Sequence, residues 1–152
     1  MAVLLLAGCG RSPKKVFGQL QDAAIKKDAK TIWSNLSPET TQELVKRSQE
    51  VFREPGGGKA SPTEADGREY LAMLAGNLED LSVEYIRSLH AGTVTVKGDT
   101  AEITLSSLRF GSPGKTLVFR KVKGKWVWDA REILDWYLEN RSEIANMSQG
   151  GF

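Results

Sequence analysis

Two strands joined by a tight turn are predicted by residues 115–129, KTLVFRKVKGKWVWD. Apolar side chains alternate with polar ones on both sides of Lys123-Gly124, which is the pattern of a β-hairpin. Because successive side chains of a strand point to opposite faces, Trp126 and Trp128 share one face. A hairpin with two tryptophans on one side is therefore the centre of the predicted fold.

The residues upstream extend this hairpin into an antiparallel meander. Residues 93–97 alternate and place Val94 and Val96 on one side, and residues 98–99 (GD) predict a tight turn. The next strand is predicted over residues 100–108, and the turn GSPG at residues 111–114 leads into the hairpin. The inward side chains predicted for the 100–108 strand are Ala101, Ile103 and Leu105.

Helices are predicted upstream of the sheet by three serine–proline pairs. A serine side chain can accept from an unpaired N–H of the first turn, and proline lacks the N–H that would be orphaned there. The pairs are Ser12-Pro13, Ser37-Pro38 and Ser61-Pro62, and the third adds a Ser61-x-x-Glu64 capping box. Apolar periodicity then predicts helices over residues 13–27, 29–36, 38–53 and 62–80.

The same periodicity predicts buried faces and one further helix. In the 38–53 helix we expect Leu44, Val45, Val51 and Phe52 to be buried. Residues 83–89 fit either a strand or a helical tail. A C-terminal helix is predicted over residues 130–147. Helices followed by an antiparallel meander predict an α+β fold, with N-terminal helices packed on a curved antiparallel sheet.

Length, composition and charge are those of one ordinary globular domain. The chain has 152 residues, 40% of them hydrophobic and 26% charged, which is enough for a single buried core. Its 21 basic and 19 acidic residues are well mixed and give a net charge of +2. No basic stripe of the kind that binds nucleic acid is visible, so a nucleic-acid partner is not expected.

The N-terminal residues Leu6-Ala7-Gly8-Cys9 predict where the protein is located in the cell. They form the end of a short apolar run, followed by two small residues and the chain's single cysteine. These four residues resemble the bacterial lipoprotein box. The resemblance implies that Cys9 is lipidated, with acyl chains such as palmitate. Two or more chains anchor a protein stably, since each buried methylene contributes about 0.8 kcal/mol.

The lipoprotein resemblance also implies a location and a division of the chain. Residues 1–8 would be a signal peptide, residues 9–12 an acylated tether and residues 13–148 a single domain. The apolar run is short for a signal, so we expect the true start to lie upstream. We expect the protein in the cell envelope, on the outer membrane of a Gram-negative cell or otherwise on the outer face of the plasma membrane.

The predicted order of elements resembles the NTF2-like (cystatin-like) superfamily, and particularly its small uncharacterised lipoproteins. The matching segments are the helix end IKKD at residues 25–28, the strand GDTAEI at 98–103 and the strand GKWVW at 124–128. The resemblance implies a cone formed by a curved sheet and covering helices. It also implies a pocket inside that cone.

Aromatic residues are the candidate lining of such a pocket. They could line a cavity for an apolar or aromatic ligand, or they could simply form the core, which is the commoner fate of such a cluster. The candidates are Trp33, Tyr70, Phe119, Trp126, Trp128 and Tyr137.

No catalytic set is evident. His90 is the only histidine, and no nucleophile or metal ligand stands at a suitable spacing from it. Glu132, Asp135 and Glu139 share one helical face and could hold a divalent cation, but a solvated face paired with Arg131 or Arg141 is the simpler interpretation. No catalytic residue, metal or cofactor is predicted.

The sequence therefore predicts a membrane-anchored envelope lipoprotein that serves as a ligand-binding or scaffold module. Its expected partners are the membrane, through the lipid anchor, and either another envelope protein or a small apolar ligand. The alternative is an enzyme that uses the cone-shaped pocket.

Overall fold

A computed structural model describes residues 11–52, 61–78, 80–107, 115–136 and 138–139. Five helices precede four strands in these ranges. The helices are α1 (Pro13–Ile25), α2 (Ala29–Ser34), α3 (Pro38–Val51), α4 (Glu64–Gly76) and α5 (Asp80–Ser88). The strands are β1 (Leu89–Lys97), β2 (Thr100–Ser107), β3 (Thr116–Val122) and β4 (Lys125–Asp129).

Two of the three predicted helix starts are confirmed. The Ser12 hydroxyl accepts from the Lys15 N–H at 3.3 Å, and the Ser37 hydroxyl accepts from the Thr40 N–H at 3.2 Å. In both helices a proline occupies the first turn, where its missing N–H costs nothing.

The predicted start of the fourth helix is wrong by two residues. Helix α4 begins at Glu64 and is capped by Thr63, not by Ser61. Thr63 and Asp66 satisfy each other reciprocally, because the Thr63 hydroxyl accepts from the Asp66 N–H and the Asp66 carboxylate accepts from the Thr63 N–H at 2.7 Å. A Thr-x-x-Asp box therefore replaces the predicted Ser-x-x-Glu box, and Pro62 precedes the helix.

The helical alternative for residues 83–89 is confirmed up to Ser88, since α5 spans Asp80–Ser88. The expected burial at the end of α3 is wrong, because Val51 is 47% and Phe52 is 38% exposed. The buried residues of α3 are Thr40, Leu44 and Ser48. The last turn of α3 extends past this packed stripe, so its apolar side chains face solvent.

The sheet is a curved, open antiparallel meander in the order β1-β2-β3-β4. Its register places Ala101 opposite Phe119, and Phe119 opposite Trp128. Along β2 the side chains alternate, with Ala101, Ile103 and Leu105 buried as predicted. Strand β1 begins at Leu89, four residues before its predicted start, and its register shifts between Ala91 and Val94.

The outer edge of β4 is covered by the segment that joins α2 to α3. The Trp128 N–H donates to the Asn35 carbonyl at 2.7 Å, and the Ser37 N–H donates to the Trp128 carbonyl at 2.8 Å. Leu36 forms an isolated parallel bridge with Trp128. These bonds pair the edge strand and fix the helices against the sheet.

The α+β class is confirmed, with one core between the helices and the inner face of the sheet. Residues 131–136 and 138–139 are helical, and the rest of the predicted C-terminal helix lies outside the described residues. None of the helices within the described ranges combines the length and the apolar character needed to span a bilayer.

Candidate ligand cavity

A partly open cavity of about 260 Å³ lies between the helices and the sheet. Every helix contributes to its walls. Side chains from the helices include Phe17 and Leu20 of α1, Leu44 of α3, Leu74 of α4 and Ile86 of α5. These residues lie on the inward faces that helical periodicity selects.

The sheet and the segment after β4 supply the remaining walls. Leu105, Leu117 and Trp128 come from three successive strands, and they lie on the inner face because their strands alternate. Ile133 and Leu134 come from the helical residues that follow β4. The result is a cavity whose accessible walls are almost wholly apolar.

Most of the polar groups in the walls already have partners. The Gln21 side-chain amide donates to the Ile86 and Leu89 carbonyls, at 2.7 and 2.8 Å. The Thr40 hydroxyl accepts from the Ala130 N–H at 2.9 Å. Burial raises the pKa of the Tyr85 hydroxyl, so this phenol stays neutral at physiological pH. These groups hold the walls together and leave the space apolar.

Two polar side chains in the walls are different. The Trp128 indole nitrogen is buried without a hydrogen-bond partner, a situation that costs about 1–3 kcal/mol for a buried donor. Lys115 is the single charged residue among the described wall residues, and its Nζ lies 5.5 Å from the centre of the Trp136 ring. Among the described wall residues, the cavity therefore has one spare donor, the Trp128 indole N–H, and one cation, Lys115.

The aromatic residues predicted as pocket lining fall into three groups. Trp128 lines the cavity. Trp33, Tyr70, Phe119 and Trp126 are buried in the core and are not among the residues that line it. Tyr137 lies outside the described residues, as does the predicted lipidation residue Cys9.

Sequence reasoning missed the aliphatic residues that form most of the cavity. Leu20, Leu71 and Leu74 have the helical spacing of buried residues, so the pattern predicts that they face inward. The same spacing would arise if they met other side chains or if they met open space. No local signal separates a core leucine from a leucine that lines a cavity.

The candidate acidic and basic groups lie elsewhere. His90 is exposed on β1 opposite Ser106. Asp135 forms an ion pair with Arg47 of α3, an arginine other than the two expected from the sequence. Among the residues that the structure describes, no three histidine, cysteine or carboxylate side chains lie together as a metal site would require.

A polar cluster surrounds Asp129 at the end of β4. The Asp129 carboxylate accepts from Arg131 Nε and Nη2 at 2.9 and 2.8 Å, and it lies 3.1 Å from Arg120 Nε. Arg131, together with Arg120, holds the pKa of Asp129 below its ordinary value. The cluster fixes the position at which the chain leaves β4 and enters the cavity wall at Ala130.

Comparisons of the chain with protein-family models, curated proteins and solved structures gave no match.

Proposed function

We propose that this protein is a lipid-anchored protein of the cell envelope whose domain binds a small apolar ligand. The observation that carries the proposal is the cavity of about 260 Å³ with almost wholly apolar walls. An engineered apolar void of about 150 Å³ in another protein stays dry and takes up benzene. A larger void with the same kind of wall is suited to an apolar compound.

The composition of the cavity walls favours ligand binding over catalysis. General acid–base catalysis needs a titratable side chain within hydrogen-bond reach of the reacting atom. The described wall residues include no carboxylate, histidine or cysteine. The enzyme alternative therefore has only Lys115 and Tyr85 as titratable side chains in the described part of this cavity, and burial raises the pKa of the Tyr85 hydroxyl further from neutral pH.

The position of two aromatic residues favours a ligand-binding module over a scaffold. A cavity filled by Phe119 and Trp126 would leave only the outer surface for interaction. Both side chains are buried in the core, and neither is among the residues that line the cavity. The space between the helices and the sheet is therefore available to a ligand.

The N-terminal box supports the anchor and the location. Leu6-Ala7-Gly8-Cys9 has the apolar residue, the small residues and the cysteine that lipidation requires, and Cys9 is the only thiol. We place the protein on the outer membrane of a Gram-negative cell or on the outer face of the plasma membrane of another cell. Residues 1–8 would be the signal, residues 9–12 the tether and residues 13–148 the domain.

An NTF2-like cone is our proposal for the architecture. Its support is the order of elements, in which helices precede a curved four-stranded meander with a cavity between the two layers. The C-terminal helix proposed over residues 130–147 would add a further wall to that cavity.

The binding proposal is tested by filling the cavity. Ala24 of α1 lines the cavity, whereas Ala72 is exposed on α4. We expect wild-type protein to bind the neutral fluorophore 1-aminoanthracene, and we expect Ala24→Phe to weaken its binding by about tenfold or more, as extra atoms do in an apolar pocket. The matched control Ala72→Phe should bind as the wild type does.

Circular dichroism would show whether each variant is folded, and Ala24→Met would serve as a milder filler if Ala24→Phe were not. The proposal would be contradicted by wild-type protein that does not bind the fluorophore. It would also be contradicted if folded cavity variants bound as tightly as Ala72→Phe.

A further inference from the structure

Lys115 is placed where it can select the ligand of the proposed cavity. It immediately precedes β3, and it is half-buried in the cavity wall beside Leu105 and Leu117. Its backbone is held in the sheet, because the Leu105 N–H donates to the Lys115 carbonyl at 3.0 Å. The backbone of Lys115 therefore has a fixed place in the wall.

The charge of Lys115 has an aromatic neighbour and, among the residues that the structure describes, no anionic partner. Its Nζ lies 5.5 Å from the centre of the Trp136 ring, and Trp136 also lines the cavity. Within the described ranges no carboxylate lies within ion-pairing distance of Lys115. A half-buried ammonium beside an apolar space favours an anion, since charges taken from water are stabilised by an opposite charge.

We propose that the ligand is an amphiphile with one acyl chain and an anionic head, a carboxylate or a phosphate. The chain would occupy the apolar cavity and the head would pair with Lys115. This inference rests on the proposed function, because it assigns a chemical class to the ligand of the same cavity.

The size of the cavity suits one chain of medium length. A methylene group occupies on the order of the volume of one water molecule, about 30 Å³, so 260 Å³ corresponds to about nine carbons. The probes of choice are therefore amphiphiles with ten carbons in all, which differ in the charge of their heads. Decanoate and decyl phosphate are anionic, decan-1-ol is neutral and decylamine is cationic at pH 7.

The test is displacement of 1-aminoanthracene from the full-length protein by these amphiphiles at low ionic strength, where charge pairing is least screened. We expect an anionic amphiphile to bind about tenfold more tightly than decylamine, with decan-1-ol between them. Comparison of decanoate with decyl phosphate shows whether the protein prefers a carboxylate head or a phosphate head.

Four substitutions make the test specific to Lys115. Lys115→Gln should abolish the preference for an anion, Lys115→Glu should reverse it in favour of decylamine, and Lys115→Arg should retain it. The matched control is Lys121→Gln, because the Lys121 Nζ lies 5.7 Å from the centre of the Trp126 ring in the same kind of contact, and Lys121 does not line the cavity. That control should keep the wild-type preference.

The outcomes separate this inference from the function on which it rests. Wild-type protein that binds no 1-aminoanthracene would contradict the proposed function itself. Wild-type protein that binds the fluorophore but releases it equally to all four amphiphiles would overturn the anionic ligand alone. An anion preference that survives in Lys115→Gln would also overturn it, because the selecting charge would then lie elsewhere.

Discussion

The side chain of Asp129 joins the end of β4 to β3 and to the helical residues that follow β4. Asp129 is the last residue of β4, its side chain is only 8% exposed, and its carboxylate is paired with both Arg120 and Arg131. The alternation of β4 predicts the face on which Asp129 lies. It does not predict these partners, because Arg120 comes from the neighbouring strand and its approach depends on the register.

Asp129→Asn should lower the free energy of unfolding by about 2 kcal/mol at pH 7, because it removes the charged acceptor of the Arg131 guanidinium and the ion-pair partner of Arg120. The effect should depend on pH. Since the pKa of Asp129 is lowered in the folded state, its contribution is complete above the ordinary value of 3.8 and is lost as the pH falls through the lower folded value. Urea denaturation of both proteins across acidic pH measures this.

The difference between wild-type protein and Asp129→Asn should therefore shrink below pH 3.8. A difference that stays constant from neutral pH to strongly acidic pH would show that the ion pairs contribute nothing to the loss.

Gly67 marks the closest approach between two helices. It is buried in α4, and a Cβ atom there would lie 2.6 Å from Val45 Cγ2 and 3.1 Å from the Val45 backbone nitrogen in α3. In the sequence Gly67 is simply a poor helix former within a helical pattern. Only the packing of α4 on α3 shows why a side chain is excluded.

Gly67→Ala should lower the free energy of unfolding by about 1–2 kcal/mol, because overpacking outweighs the higher helix propensity of alanine. The matched control is Gly18→Ala in α1, where a Cβ atom would meet nothing within 4 Å. That substitution should raise the free energy of unfolding by about 0.5–1 kcal/mol. Chemical denaturation of the two variants should give shifts of opposite sign, and shifts of the same sign would contradict the assigned contact.

The start of α4 shows both the power and the limit of local signals at the scale of one element. Serine–proline pairs locate the starts of α1 and α3, but at α4 two overlapping signals compete within the six residues 61–66. Thr63 and Asp66 form the box that the backbone adopts. Both signals use the same local chemistry, so the choice depends on where α4 must begin in order to pack on α3.

Thr63→Ala should cost about 1 kcal/mol of the free energy of unfolding, which is typical for the loss of a capping side chain. Ser61→Ala is the matched control and should change stability by less than about 0.5 kcal/mol, because Ser61 is exposed and precedes the helix. Thermal or urea denaturation measures both. A greater loss in Ser61→Ala than in Thr63→Ala would place the cap at the residue that the serine–proline pattern predicts.

Strands β2, β3 and β4 were the easiest elements to predict. Their period of two is a property of neighbouring residues, so Ala101, Ile103 and Leu105 could be assigned to the buried face from the sequence. Val51 and Phe52 could not be assigned correctly. Their helical spacing is apolar, but α3 extends beyond the elements that would cover its last turn.

At the scale of the whole molecule, the proposed anchor and the proposed cavity divide the chain into two functions. The lipoprotein box would hold the protein at a membrane, and the domain would present the cavity there. The two functions are separable, because Cys9 precedes α1 and the domain has its own core.

Cys9→Ala should leave the domain folded and release the protein from membranes, since the acyl chains would have no attachment site. The measurement is fractionation of cells that express wild-type protein or the variant, with circular dichroism of the purified variant as the control for folding. A folded Cys9→Ala protein that stays in the membrane fraction would contradict the anchor.

The sequence by itself determined the α+β class, the order of the elements other than α5 and the buried face of β2, because each follows from periodicity, capping or turn chemistry within a few residues. Only the tertiary structure decided that Trp33 and Trp126 belong to the core, that Leu20 and Leu74 border a cavity and that Lys115 is the charge in its wall. An inward-facing residue has the same spacing in the sequence whether it meets another side chain or open space. That difference depends on how far the helices stand from the sheet.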